Sequence, residues 1–427
     1  GSHERFPAWS PNGKWVSYLS DKNGKYQLVL RDQKGMAAES YIDLGTGLFY
    51  FEPTWSPDSK KLFFNDAHLN LYYVDVATKK VVLVDSDKLA SITGRTRNHF
   101  EPSWSSDSNW IAYTKALNNG VDAIFMYNLD TQKSHQVTDG MSEVSQPVFS
   151  NDGKYLFFTA STDIGLTNSG LHMSAYDRGP NYNVYAILLS KKTPSIFKNE
   201  SDEETIKEEK AEESKKEDKK EDKKGGKTKE EDKLATKPAT KPLEVDFDGI
   251  SSRIVALPLP TGYYRLNGNI DNVLTYQRGG TIGAYDLVKL EDKTLVENAR
   301  GFRISADGKK MMYLSGRDYF IVPAGQKPAP NTGKITLDDF KFEVDPAAEW
   351  KQVFNEVWAM QKEFFYVENM HGADWDAVRA KYEKFLPYVN HRSDLGYLLN
   401  EMMGELVVGH AYIYPGDQPS TPSVSTG

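Results

Sequence analysis

The sequence has 427 residues, 39% hydrophobic and 12% aromatic, enough to bury the cores of two or three domains. Its 52 basic and 60 acidic side chains leave a formal charge of −8, with both signs mixed along most of the chain, which argues against a face for nucleic acid or anionic membrane. The absence of cysteine removes disulfides, thiolate metal sites and a cysteine nucleophile together.

No window approaches the roughly 18 apolar residues of a membrane span. Gly1-Ser2-His3 reads as a cloning remnant. The compartment is read as cytoplasmic, with the periplasm left open because a native targeting segment could have preceded that remnant.

Along the first three quarters of the chain one unit recurs. Its copies are Phe6-Pro-Ala-Trp-Ser-Pro-Asn-Gly, Phe51-Glu-Pro-Thr-Trp-Ser-Pro-Asp-Ser, Phe100-Glu-Pro-Ser-Trp-Ser-Ser-Asp-Ser, Gln146-Pro-Val-Phe-Ser-Asn-Asp-Gly and Phe302-Arg-Ile-Ser-Ala-Asp-Gly. The anchors Trp9, Trp55, Trp104 and Phe149 lie 46, 49 and 45 residues apart, the period of a four-stranded propeller blade. Each copy reads as an aromatic strand, a tight turn and an alternating second strand. Third strands follow at 26–30, 71–75, 123–127 and 183–188. A weaker copy runs from Tyr264 to Val288. The fold class is therefore mainly β, a β-propeller of six readable blades with a seventh left open, followed by a small helical bundle.

The repeated aromatics read as core between blades rather than as sugar- or cofactor-stacking residues. Asp58, Asp107, Asp152 and Asp307 sit singly at turns, where Asp serves turn geometry, so they are not read as calcium ligands. Residues 199–242 hold 13 lysines and 15 acidic residues with almost nothing apolar, and read as a disordered insert between blade strands.

At Asp345-Pro346 the period shifts from 2 to about 3.6, with Asp as N-cap and Pro at the first helical position. The first helix presents Trp350, Val353, Phe354, Val357, Trp358, Phe364 and Phe365. A second, opened by Asp374, presents Trp375, Val378, Tyr382, Phe385 and Leu386. A third, opened by Ser393, presents Leu395, Leu398, Leu399, Met402 and Leu406. Residues 407–414 read as a short strand. The chain thus divides into blades over 1–198, the insert over 199–242, further blades over 243–335, a helical unit over 345–414 and a linker over 415–427.

The blade repeat is shared by TolB-like, prolyl-oligopeptidase-like and tricorn-like propellers. The run Glu349-Trp-Lys-Gln-Val-Phe, Phe364-Phe-Tyr, Asn369-Met-His-Gly-Ala-Asp-Trp375, Arg392-Ser-Asp-Leu and Gly404-Glu-Leu-Val-Val-Gly-His-Ala-Tyr-Ile413 resembles the first catalytic subdomain of the tricorn family of serine proteases. The propeller in front is consistent with that family's second, larger propeller.

This resemblance implies that His410 is the general base for a serine nucleophile borne on a second catalytic subdomain, beyond a PDZ domain. No Gly-x-Ser-x-Gly elbow occurs in this chain. By itself, a lone histidine in an apolar strand reads as structural, and the resemblance reverses that. The family often has serine before this histidine, where the chain has Gly409. Among the other histidines, His68, His99, His135, His172 and His391 lack metal-type spacing, and His371 reads as part of an interhelical turn.

The implied parent is an oligopeptide-degrading, homo-oligomeric peptidase. Its partners are peptide substrates and its own PDZ and nucleophile-bearing segments, with no cofactor, metal, nucleic acid or membrane span. This chain alone is expected to be inactive. The alternative is a non-catalytic TolB-like propeller that binds a peptide or protein partner.

Overall fold

The computed structural model describes all residues except 1, 46, 89–99, 163–180, 198–240, 331, 415 and 417–427. Nearly all of the predicted charged insert, together with His99 and His172, lies outside the described residues.

Among the described residues, twenty-four strands form six four-stranded antiparallel sheets, each a meander in chain order. Blade 1 holds β1–β4 (Glu4–Trp9, Trp15–Ser20, Gln27–Asp32, Ser40–Ile42), and blade 2 holds β5–β8 (Tyr50–Trp55, Lys61–Asp66, Asn70–Asp75, Val81–Ser86). Blade 3 holds β9–β12 (Ser103–Trp104, Trp110–Ala116, Asp122–Asn128, Lys133–Gln136), and blade 4 holds β13–β16 (Glu143–Phe149, Tyr155–Ser161, Asn183–Leu188, Ile254–Ala256). Blade 5 holds β17–β20 (Tyr264–Ile270, Val273–Arg278, Thr281–Asp286, Glu291–Val296), and blade 6 holds β21–β24 (Ala299–Ile304, Lys310–Ser315, Asp318–Pro323, Lys334–Ile335).

The repeated turn works through one hydroxyl. Ser56, Ser105, Ser150 and Ser305 each donate Oγ to the aspartate two residues on, at 2.6, 2.5, 2.7 and 2.6 Å. The same oxygen accepts the backbone N–H five residues on, from Lys61, Trp110, Tyr155 and Lys310. In blade 1 Ser10 does this with Asn12 and Trp15. The turn aspartates are thus engaged in closing the hairpins, as a small local polar side chain does at a reversal. In blades 1, 2 and 4 the register between first and second strands slips, and the residue before the strand proline there, Phe6, Glu52 or Gln146, is left-handed. These are β-bulges, which increase the local twist of the strands that carry them.

Blades cohere through the anchors. Trp55 is buried and donates Nε1–H to Ser17 Oγ of blade 1 at 2.9 Å. Trp104 stacks on Phe63 of blade 2 at 5.6 Å and donates to the Thr54 carbonyl. Phe149 lies in a core with Ala112 and Met126 of blade 3. Trp9 departs from the expected inter-blade core, since its side chain is largely exposed.

Helix α1 (Pro346–Phe364) begins as expected, with Asp345 accepting from the Ala347 and Ala348 N–H groups. Helix α2 (Trp375–Glu383) is capped by Asp374 on Ala377 N–H. Helix α3 (Arg392–Gly404) is capped by His391 rather than Ser393. The imidazole accepts from Ser393 N–H, while Asp394 accepts back from His391 N–H in a capping box. The three helices share a core of Phe354, Met370, Trp375, Leu395, Leu399 and Met402.

Two residues of the predicted apolar faces lie elsewhere. Phe385 is exposed at the end of α2. Phe364 turns from the helical core to the propeller, 5.6 Å from Phe49 and 6.1 Å from Phe51. Around it, the Leu48 N–H donates to Glu363 and the Tyr26 hydroxyl to Glu356 at 2.7 Å. Burial together with this carboxylate pushes the Tyr26 phenol far up from its ordinary value. These contacts seat α1 on blades 1 and 2. No described helix is long and apolar enough to cross a membrane.

Candidate active site

The site is built at the end of α3. Helix capping leaves Glu405 beside α2, where its carboxylate accepts from Lys381 Nζ at 2.5 Å and from the Tyr382 hydroxyl at 2.7 Å. Those two hydrogen bonds, Lys381 first, hold Glu405 below the usual carboxylate range. Burial and then Glu405 push Tyr382 up. Leu406 enters the helical core, and Val408 and Ile413 pack against its edge. Further on, Arg392 at the start of α3 donates to the Tyr414 carbonyl at 3.3 Å. The segment is therefore held at both ends and swings outward between them.

His410 stands on that outward swing, exposed, with φ of 60°. Val407 is also left-handed, at φ 52°. The predicted strand over 407–414 is therefore corrected to an irregular loop. Its alternating residues suit a strand, but none of the described strands pairs with them, and β preference is realised only against a neighbour. The imidazole meets Tyr412 edge-on at 6.3 Å. Among the described residues no hydroxyl or carboxylate hydrogen-bonds to it. Such a ring is free to take a proton from an incoming hydroxyl, given a partner that brings one within reach. A Cβ on Gly409 would meet no atom within 4 Å, so the loop has space for the serine that the family often carries there.

The remaining histidines serve other ends. His371 sits in its predicted interhelical turn with φ of 56°, between Tyr366 Oη at 2.6 Å from Nε2 and the Leu406 carbonyl at 3.4 Å from Nδ1. Sequence reading gave Tyr366 no role; its position next to Phe365 at the end of α1 is the signal that could have found it. His135 stacks on Phe247 at 4.1 Å, and His68 lies 3.5 Å from Glu363. Among the described residues no three His, Asp or Glu side chains gather as a metal cage. A cavity of about 670 Å³ between blades 1 and 2 is lined by Asp43, Tyr50, Asp66, His68 and Tyr72, and not by His410.

Comparison with known proteins places this arrangement. The profile of the tricorn protease second β-propeller domain matches residues 1–325, and that of the tricorn protease C1 domain matches residues 346–404, ending short of His410. A tricorn-like protease C-terminal subunit of Sulfurisphaera tokodaii is 27% identical over 98% of this chain and 45% of its own length. Tricorn protease homolog 1 of Streptomyces coelicolor is 26% identical over 94% of this chain and 38% of its own. The crystal structure of the tricorn protease superposes with a TM-score of 0.72 at 17% identity, over 96% of this chain and 38% of that one. The chain spans less than half the length of these relatives. With both profiles matched in order across most of its residues, the chain belongs to the tricorn protease family, as its second propeller followed by its C1 domain.

Proposed function

We propose that the parent protein is a serine-type peptidase acting on oligopeptides, for which this chain supplies the general base, His410, and the propeller that frames access. The observation that carries the reading is the presentation of His410. A loop pinned at Glu405 and Tyr414 holds one imidazole outward, unpartnered among the described residues, directly after a C1 domain. A ring with both nitrogens engaged and no open face would not reach a hydroxyl on a second segment. The nucleophile, the substrate and any oligomeric partner belong to polypeptide outside this chain.

The test is peptidase activity of the full-length protein with and without His410→Ala. Loss of a positioned general base lowers kcat by about 10²- to 10⁴-fold. Residues 1–427 alone are expected to be inert. Full activity in the variant overturns the assignment of the base. Activity in residues 1–427, abolished by the same substitution, shows instead that the nucleophile lies within them.

A further inference from the structure

Where the helical unit sits on blade 1, a second cavity of about 260 Å³ lies between them, walled by the β2–β3 hairpin tip, the residues just before β5 and the facing sides of α1 and α2. Lys22, Gln352, Asn355, Trp358 and Arg379 give it a polar and aromatic lining, and Leu48 and Ala359 an apolar one. At about 30 Å³ per water it has room for roughly eight waters or one small molecule. Ligand sites recur at such boundaries between domains, where apolar walls carry a few convergent polar groups.

Arg379 is the lining group whose bonding is incomplete. Its Nη2 donates to Asn355 Oδ1 at 2.9 Å, a neutral acceptor. Its Nε is buried with no hydrogen-bond partner among the described residues. Asp376, one turn earlier on α2, is paired instead with Lys362 at 2.9 Å. The Trp358 ring lies 4.8 Å from the guanidinium carbon. Trp358 is itself locked between α1 and α2, its Nε1–H on the Trp375 carbonyl and the Trp375 Nε1–H on its own carbonyl. Arg379 is thus held as a flat, fixed cation with most of its fork unused. A buried charged donor without an acceptor is costly, which favours entry of a ligand that brings one.

We infer that this cavity binds a small monocarboxylate, gripped by the Arg379 guanidinium. Two oxygens in one plane match the guanidinium fork, and a short alkyl tail suits the wall of Leu48 and Ala359. The charges around the cavity limit the ligand to a single negative charge. Lys25 is spent on Asp43 at 2.7 Å, while Lys22 and Arg379 stand against Asp21 and Glu356 in the same lining. A dianion such as phosphate therefore meets two carboxylates for its second charge. Neither carboxylate competes for Arg379. Asp21 accepts from the His3 N–H at 2.7 Å and from Gln352, and Glu356 from the Tyr26 hydroxyl at 2.7 Å.

Saturation-transfer NMR on residues 1–427 tests this with propionate as the probe. Propionate should bind saturably with a Kd on the order of 1 mM, as suits a ligand this small. Propionamide, which lacks the charge, should bind about tenfold more weakly or worse, and Arg379→Gln should weaken propionate to the same degree. Asn355→Asp is the second variant, because it sets an internal carboxylate against Arg379 Nη2 while keeping the side chain's shape; it too should weaken propionate about tenfold. Circular dichroism checks that both variants are folded. Displacement of propionate by a dipeptide with a free C-terminus, but not by the same dipeptide amidated, would identify the ligand as a peptide end; displacement by short free acids alone would identify it as a free acid. Absence of saturable binding, unchanged affinity in either folded variant, equal binding of propionamide, or tighter binding of inorganic phosphate than of propionate overturns the proposal.

Discussion

Replacing Ser17 by Ala probes how the blades are held together. Ser17 is fully buried, and its hydroxyl accepts the indole N–H of Trp55, itself only 6% exposed. The substitution removes one small oxygen but strands a donor that water does not reach. An unpaired buried donor costs about 1–3 kcal/mol, against about 1 kcal/mol for the average hydrogen bond. We expect about 2 kcal/mol, which for a domain of this size lowers Tm by about 3 °C. Trp55→Phe removes the donor itself, and Ser17 keeps the Ala8 carbonyl as an acceptor for its own proton. The double variant should therefore lose less than the two single losses added, by a coupling of about 1–2 kcal/mol. Urea unfolding of the four proteins, followed by far-ultraviolet circular dichroism, supplies the cycle. A coupling near zero, with Ser17→Ala as stable as the parent, would refute the reasoning and assign blade cohesion to apolar contact alone.

Further outcomes are expected elsewhere. Asp345→Ala should cost about 1 kcal/mol and speed amide exchange at Ala347 and Ala348, whose N–H groups the cap accepts. Burial raises Asp152, but hydrogen bonds from Ser150 and Lys154 outweigh it, so its carboxyl titrates below the ordinary value of 3.8. Its stabilisation is therefore complete above that value and lost as pH falls through the folded-state value; Asp152→Asn should show a smaller drop in urea midpoint between pH 7 and pH 3 than the parent. Gly333→Ala should detach β24, because a Cβ there collides with the Ile321 carbonyl oxygen and the residue is left-handed, at φ +74°; exchange at Tyr319 and Ile321 reads the loss. Gly409→Ser should leave stability unchanged, and it should raise kcat of the full-length protein if a hydroxyl at this place orients the imidazole. An unchanged kcat would show that His410 is oriented by other groups.

The blades were legible because their signal is local. Ser, Asp and the left-handed residue of each turn act on backbone groups within five positions, so the pattern that spells the hairpin also closes it. Asp345 and Asp374 were legible for the same reason, since a cap reaches only two or three residues ahead. Phe364 was not, because its helical position fits the apolar face of α1 while the partner that claims it, Phe49, lies more than 300 residues earlier. His391 displaced Ser393 as cap once the Asp394 carboxylate reached back to its N–H, a reciprocal bond that the residue types permit but do not demand.

Trp9 and His410 mark the same limit from the other side. Both belong to sequences that specify a partnered state, an inter-blade anchor and an alternating strand, and both stand without the partner among the described residues. A strand pattern fixes which side chains share a face, but not whether anything arrives to cover it. The role proposed for His410 needs an open face on its imidazole. A neighbouring strand that buried residues 407–414 on both faces would stabilise the loop and remove the imidazole from solvent in the same step.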